Sequence, residues 1–181
     1  MSKRTHSTAA ALVCYGRDGG TSQDIAPPEI IIASAYLRSL GETASVTDSF
    51  WTMPSSSDCE EWMLPLQSSN SPILVLAKHI SPRIKSSVLY EDIATTIDGG
   101  GLLARSEDLM NSLLGCGRGG GMVGFRVNTT NPLYESEEYK SLNAKPEGIL
   151  IKIVRNPEFK EEAAEVGEEE DTETGEETTA P

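Results

Sequence analysis

Residues 73–77, Ile-Leu-Val-Leu-Ala, form an unbroken apolar run. It is too short for a typical helix and has the length of a strand buried on both faces. The residues after it narrow the choice further. Ser86 or Ser87 is placed to cap a helix, and Leu89, Ile93 and Ile97 recur at i, i+4 and i+8 along one face of it. A doubly buried strand feeding an amphipathic helix is the unit of a parallel α/β sheet, which binds ligands beyond the C-terminal ends of its strands. Glu91 lies off the apolar face, in the first turn of the expected helix and close to such a strand end.

The rest of the chain repeats this alternation. Residues 10–15 read as a first strand, closed by Gly16-Arg17-Asp18-Gly19-Gly20. Pro27, Pro28 and Glu29 open a helix in which Ile32, Tyr36 and Leu40 share a face, and Gly41 stops it. A short strand is expected over 43–47, a loop over 48–54, and a second helix over 59–67, with Pro65 disturbing its last turn. Beyond Gly99-Gly100-Gly101 the sequence predicts a helix over 102–114, a glycine-rich connector over 115–121, a strand over 122–127, a short helix over 136–142 and a last strand over 148–154. The expected fold class is α/β, a flavodoxin-like three-layer sandwich with a mainly parallel five-stranded sheet. The domain occupies residues 10–157, with a polar arm at 1–9, a glycine-rich insertion at 99–121 and an acidic tail at 158–181.

Charge and cysteine content exclude several functions. The formal net charge is −13. Of this, −9 falls in residues 160–181, whose composition is that of a disordered segment, leaving −4 for the body. Neither part is basic enough for nucleic-acid binding. Cys14, Cys59 and Cys116 are too few and too scattered for a disulfide framework or a zinc site, and Cys14 reads as a small hydrophobe in a buried strand. No stretch reaches the ~18 apolar residues that span a bilayer, and residues 1–12 lack a signal peptide's apolar core. These observations predict a cytoplasmic protein with no membrane insertion.

Several motifs resemble those of the Toll/interleukin-receptor (TIR) domain. Val13-Cys14-Tyr15-Gly16-Arg17-Asp18 is similar to the family's first strand and the turn after it. Leu37-Arg38-Ser39-Leu40-Gly41 is similar to the end of its first helix. The apolar run at 73–77, Ser86-Ser87 and Glu91 match the order of its third strand and the next helix. Val123-Gly124-Phe125-Arg126-Val127 with Asn131-Pro132 looks like its fourth strand and turn. The resemblance covers residues 10–154 and implies a signalling or defence module acting by self-association. It also implies hydrolysis of NAD at the nicotinamide–ribose bond, with NAD as substrate and no cofactor required.

On that reading Glu91 is the catalytic carboxylate, stabilising oxocarbenium character as the glycosidic bond breaks. Tyr15 and Arg17 contact base and pyrophosphate, and Trp51 stacks on a ring. Blander readings stand beside these. Glu91 is also what a helix dipole favours in a first turn, Tyr15 and Arg17 suit strand-end packing and surface charge, and Trp51 suits a partly buried anchor. Residues 115–121 lack the Gly-Lys-Ser/Thr of a phosphate loop and come after a helix rather than before one. His6 and His79 have no metal-ligand spacing around them. Two other functions fit the same expected shape. One is a non-catalytic interaction domain docking partners through residues 48–54 and 99–121; the other is a nucleoside deoxyribosyltransferase-like enzyme using the same glutamate.

Overall fold

The computed structural model describes residues 10–42 and 45–161. In chain order the elements are β1 (Val13–Cys14), α1 (Pro27–Gly41), β2 (Phe50–Met53), β3 (Glu61–Met63), β4 (Ile73–His79), β5 (Ser86–Leu89), α2 (Tyr90–Asp98), α3 (Ser106–Met110), β6 (Gly121–Gly124), α4 (Glu137–Ser141) and β7 (Ile149–Arg155). The main sheet runs β1-β6-β7-β4-β3, and β2 and β5 pair separately. Every one of these strand pairs is antiparallel.

The antiparallel pairing overturns the expected parallel, flavodoxin-like sandwich. The apolar run is a strand and sits inside the sheet as expected, but its burial alternates from Ile73 to His79. Ile73, Val75 and Ala77 face the core, whereas Leu74 and Leu76 are half-exposed. One-sided burial is the mark of an antiparallel sheet. β3 and β4, which pair directly, are joined by residues 64–72 alone, fewer than the dozen or more a parallel crossover needs.

Other local expectations shift with it. Residues 59–67 hold the edge strand β3, whose backbone pairs with β4 from Glu61 opposite Lys78 to Met63 opposite Leu76. Part of the expected second strand, 43–44, lies outside the described residues. Thr47–Ser49 is a 3-10 turn, and the strand comes after it, at β2. Ser86 and Ser87 are buried strand residues and cap nothing. Ser86 Oγ donates to the Glu147 carbonyl at 2.6 Å, and Ser87 Oγ shares a 2.9 Å hydrogen bond with Thr52 Oγ1. The helix starts one turn later, at Tyr90. In place of a helix over 102–114 there are a 3-10 turn at Gly101–Leu103, the short α3, and a second 3-10 segment at Leu114–Gly119.

Two helices cover one face of the main sheet. Ile30, Ala33 and Leu37 of α1 and Ile93, Ala94 and Ile97 of α2 meet Val75, Ala77, Val123, Ile151 and Ile153 of the strands in one apolar core. Burying each large aliphatic side chain there contributes about 1.5–3 kcal/mol. A smaller cluster of Phe50, Leu89, Tyr134 and Tyr139 closes the end where β5 enters α2. The expected arm at 1–9 and residues 162–181 of the expected tail lie outside the described residues.

Candidate functional site

The helix α2 ends on Asp98, where a negative charge opposes the helix dipole. The conflict is relieved from two directions. Arg38, in the last turn of α1, donates from Nη1 to Asp98 Oδ2 at 2.9 Å and from Nη2 to Oδ1 at 3.0 Å. The backbone N–H groups of Gly100 and Gly101 both donate to Oδ1 at 2.9 Å. Burial works to raise the pKa of Asp98, but the Arg38 hydrogen bonds and the Gly100 N–H outweigh it and hold the carboxyl below the usual aspartate value. Those same hydrogen bonds keep the Arg38 guanidinium more firmly protonated.

This node fixes the next turn of the chain. Gly99 closes α2 in the left-handed conformation, with φ of 79°. A side chain there would also collide with the backbone of Asp108 and Leu109, at 2.8 Å. The chain then turns outward and presents Leu102 and Leu103 at 105% and 93% exposure. Met110, at the end of α3, is 71% exposed, and Leu109 beside it is partly so. Four large apolar side chains are thus offered to solvent within residues 102–110, on a stretch whose base is pinned by a buried ion pair.

A second polar node lies at the start of α2. Asp92 is buried, and its Oδ2 accepts from the Tyr134 hydroxyl at 2.6 Å and from the Asn128 N–H at 3.1 Å. The Tyr134 hydroxyl itself accepts from the Leu89 N–H at 3.0 Å. Burial raises the Asp92 pKa, and the two donors offset this only in part. Burial likewise raises Tyr134, with the Asp92 hydrogen bond adding to it, and Tyr139 is pushed up to about 12, mainly by burial. Tyr134 meets Phe50 and Tyr139 edge-on and Phe50 meets Tyr139 at a tilt, with ring centroids 4.7–5.6 Å apart. This network ties the loop after β6 to the helix.

A third tie is covalent. Cys14 in β1 and Cys116 in the segment before β6 form a disulfide, their Cα atoms 5.1 Å apart across 102 residues of sequence. Cys14 is therefore half of a cross-link, not the free buried thiol expected from its strand. Arg17 Nη2 donates to Cys14 Sγ at 2.9 Å, and Asp18 Oδ2 accepts from the Cys14 N–H. Cys59 is free and exposed.

The residues assigned a role from sequence are scattered over the fold. Glu91 is half-exposed in the first turn of α2. It accepts from Arg38 Nε at 3.1 Å, so Arg38 bridges both ends of α2. Trp51 is buried in the main core, opposite Val88. Tyr15 comes directly after β1 and lies near Lys152 and Glu61, which pair at 3.1 Å on the face of the sheet opposite the helices. Arg17 is in the exposed turn after it. The structure brings Glu91 to Arg38, sets Tyr15 by Lys152 and Glu61, and turns Arg17 to Cys14 and Asp18, so the four candidate residues share no site. Two shallow depressions in the surface, of about 190 and 430 Å³, lie around residues 63–72 and include none of the four. Among the described residues no cluster of His, Cys, Asp or Glu is arranged to hold a metal ion, and no helix is long and apolar enough to cross a membrane.

Sequence reasoning missed the Arg38–Asp98 clamp and the disulfide. Asp98 directly before three glycines, ending a helix with the wrong charge, is a signal that a basic partner is required. The disulfide leaves no comparable local trace. No family model, curated protein or solved structure was found to match this chain.

Proposed function

We propose that this chain is a non-catalytic protein-interaction module that self-associates through the loop between α2 and α3. The observation behind the reading is the full exposure of Leu102 and Leu103 on a turn held rigid by Asp98. A two-fold interface brings the same patch of two copies together, and burying these leucines against their copies removes their apolar surface from water. Because the loop is already ordered by its ion pair and glycine turn, docking costs little further conformational entropy. Leu109 and Met110 extend the surface beyond the two leucines. NAD hydrolysis at Glu91 has no comparable support, since Glu91 is held by Arg38 and the groups paired with it from sequence are not gathered around it. The reading sets the module in an oxidising compartment, on the strength of the Cys14–Cys116 bond, in place of the cytoplasm expected from cysteine count and hydropathy.

Light scattering and sedimentation over a range of concentrations test the reading. The wild-type chain is expected to pass from monomer to dimer, and Leu102→Asp/Leu103→Asp to remain monomeric with unchanged thermal stability. A wild-type chain that is monomeric throughout overturns it.

A further inference from the structure

The loop after β6 contains Asn128-Thr129-Thr130, the sole Asn-x-Ser/Thr triplet without an intervening proline in the chain. All three residues are exposed. The Asn128 backbone is pinned, its N–H donating to the buried Asp92 carboxylate at 3.1 Å. Its side chain closes a local turn over the triplet. Asn128 Oδ1 accepts from the Thr130 N–H at 3.2 Å and from Thr130 Oγ1 at 2.6 Å. Oδ1 is thereby occupied, and Asn128 Nδ2 donates to no other group among the described residues.

A second observation, independent of the triplet, concerns the compartment. Glycosyl transfer to asparagine and stable disulfides belong to the same oxidising lumen, and Cys14 and Cys116 are bonded in this fold. We infer that Asn128 is an N-glycosylation site, modified as the chain enters a secretory lumen. This inference does not depend on self-association through the α2–α3 loop.

The donor is an oligosaccharide linked through a diphosphate to a polyprenyl lipid, and the catalyst is a membrane-bound oligosaccharyl transferase. Nδ2 of Asn128 forms a bond to the anomeric carbon of the first sugar. The bond from that carbon to the diphosphate oxygen breaks, and the polyprenyl diphosphate departs with the electron pair. Nδ2 loses one of its two protons to solvent, and no atom changes oxidation state. Folding afterwards leaves the glycan in water, because the loop at 128–130 is exposed while its anchor to Asp92 runs through the backbone alone.

The test expresses the full chain behind a cleavable secretion signal in cultured animal cells and tracks the secreted, disulfide-bonded product by electrophoresis. One mobility step is expected, removed by an amidase that releases Asn-linked glycans and leaves aspartate at position 128. Asn128→Gln and Thr130→Ala each lose the step, and Thr129→Ala keeps it. In protein isolated from its own source, the peptide spanning residue 128 is expected to carry the glycan by mass spectrometry. A secreted, folded wild-type chain without the step overturns the inference. So does a step that persists in both Asn128→Gln and Thr130→Ala, or an unmodified Asn128 in the naturally produced protein.

Discussion

Arg38 and Asp98, sixty residues apart in sequence, form a two-armed ion pair with N–H···O distances of 2.9 and 3.0 Å. The pair sits where the end of α1 meets the end of α2, and Asp98 is buried beneath it. It joins helix packing to loop geometry. The same carboxylate that accepts from Arg38 also accepts from the two glycine N–H groups that turn the chain toward Leu102.

Asp98→Ala leaves the Arg38 guanidinium facing a half-buried site with one carboxylate instead of two, and leaves the Gly100 and Gly101 N–H groups without their acceptor. The expected loss of stability in a denaturant titration is roughly 3 kcal/mol, the size typical of breaking one side of a buried pair. The pH dependence is set by the lowered pKa of Asp98. The contribution is complete above the ordinary aspartate pKa and is lost as pH falls through the depressed, folded-state value. An unchanged denaturation midpoint for Asp98→Ala would count against the clamp.

Asp92 carries the opposite sign. Its pKa is raised in the fold, so the folded state binds a proton more tightly than the unfolded chain does. Its contribution is most favourable at acid pH and declines as pH rises from the ordinary aspartate value through the raised one. Asp92→Asn keeps an acceptor for the Tyr134 hydroxyl and the Asn128 N–H. It is expected to match or exceed wild-type stability at pH 7 and to flatten this part of the pH profile. Tyr134→Phe strands the Leu89 N–H and removes one donor from Asp92. It is expected to cost about 1–3 kcal/mol, read as a shift in denaturation midpoint.

The Cys14–Cys116 bond closes a loop of 102 residues. On a chain-entropy account such a bond stabilises the fold by on the order of 4–5 kcal/mol, chiefly by restricting the unfolded chain. Reductant, or Cys14→Ser/Cys116→Ser, should lower the thermal midpoint markedly. Cys59→Ser, at an exposed and unpaired site, should leave it in place. Equal midpoints with and without reductant would exclude the cross-link.

Gly99→Ala places a methyl group 2.8 Å from backbone atoms of Asp108 and Leu109 at a φ of 79°. The left-handed conformation alone costs about 1–2 kcal/mol for a residue with a Cβ, and the contact with main-chain atoms adds to it. The variant is expected to be less stable than wild type. Amide hydrogen exchange should rise across residues 99–110 while the strands keep their protection.

Much of the local structure is legible in the residues themselves. The α1 helix is announced by two prolines, an acid and a repeating apolar face. The strand at 73–77, the last strand and the Ser136-capped helix α4 are likewise where their residues suggest. Errors arise where a pattern fits two structures. Five consecutive apolar residues look the same whether both faces are covered or one is half-open, and Leu74 and Leu76 turn out to lie on the open side. Residues 61–63 carry no strand periodicity and become a strand only because β4 offers them a backbone edge. At the candidate site the glycine break at 99–101 and the run of leucines after it are visible, but they read as an insertion leading into a helix.

By itself the sequence determined what neighbouring residues settle among themselves. That includes where α1 opens and stops, which stretch is apolar enough to lie inside the sheet, and where an asparagine has a threonine hydroxyl two residues on. Strand direction, the pairing of Cys14 with Cys116 and the meeting of Arg38 with Asp98 were decided only in three dimensions. Each joins segments far apart in the chain, and its energy depends on which backbone edge or buried charge is near once the core has closed. Residue types alone do not carry that information.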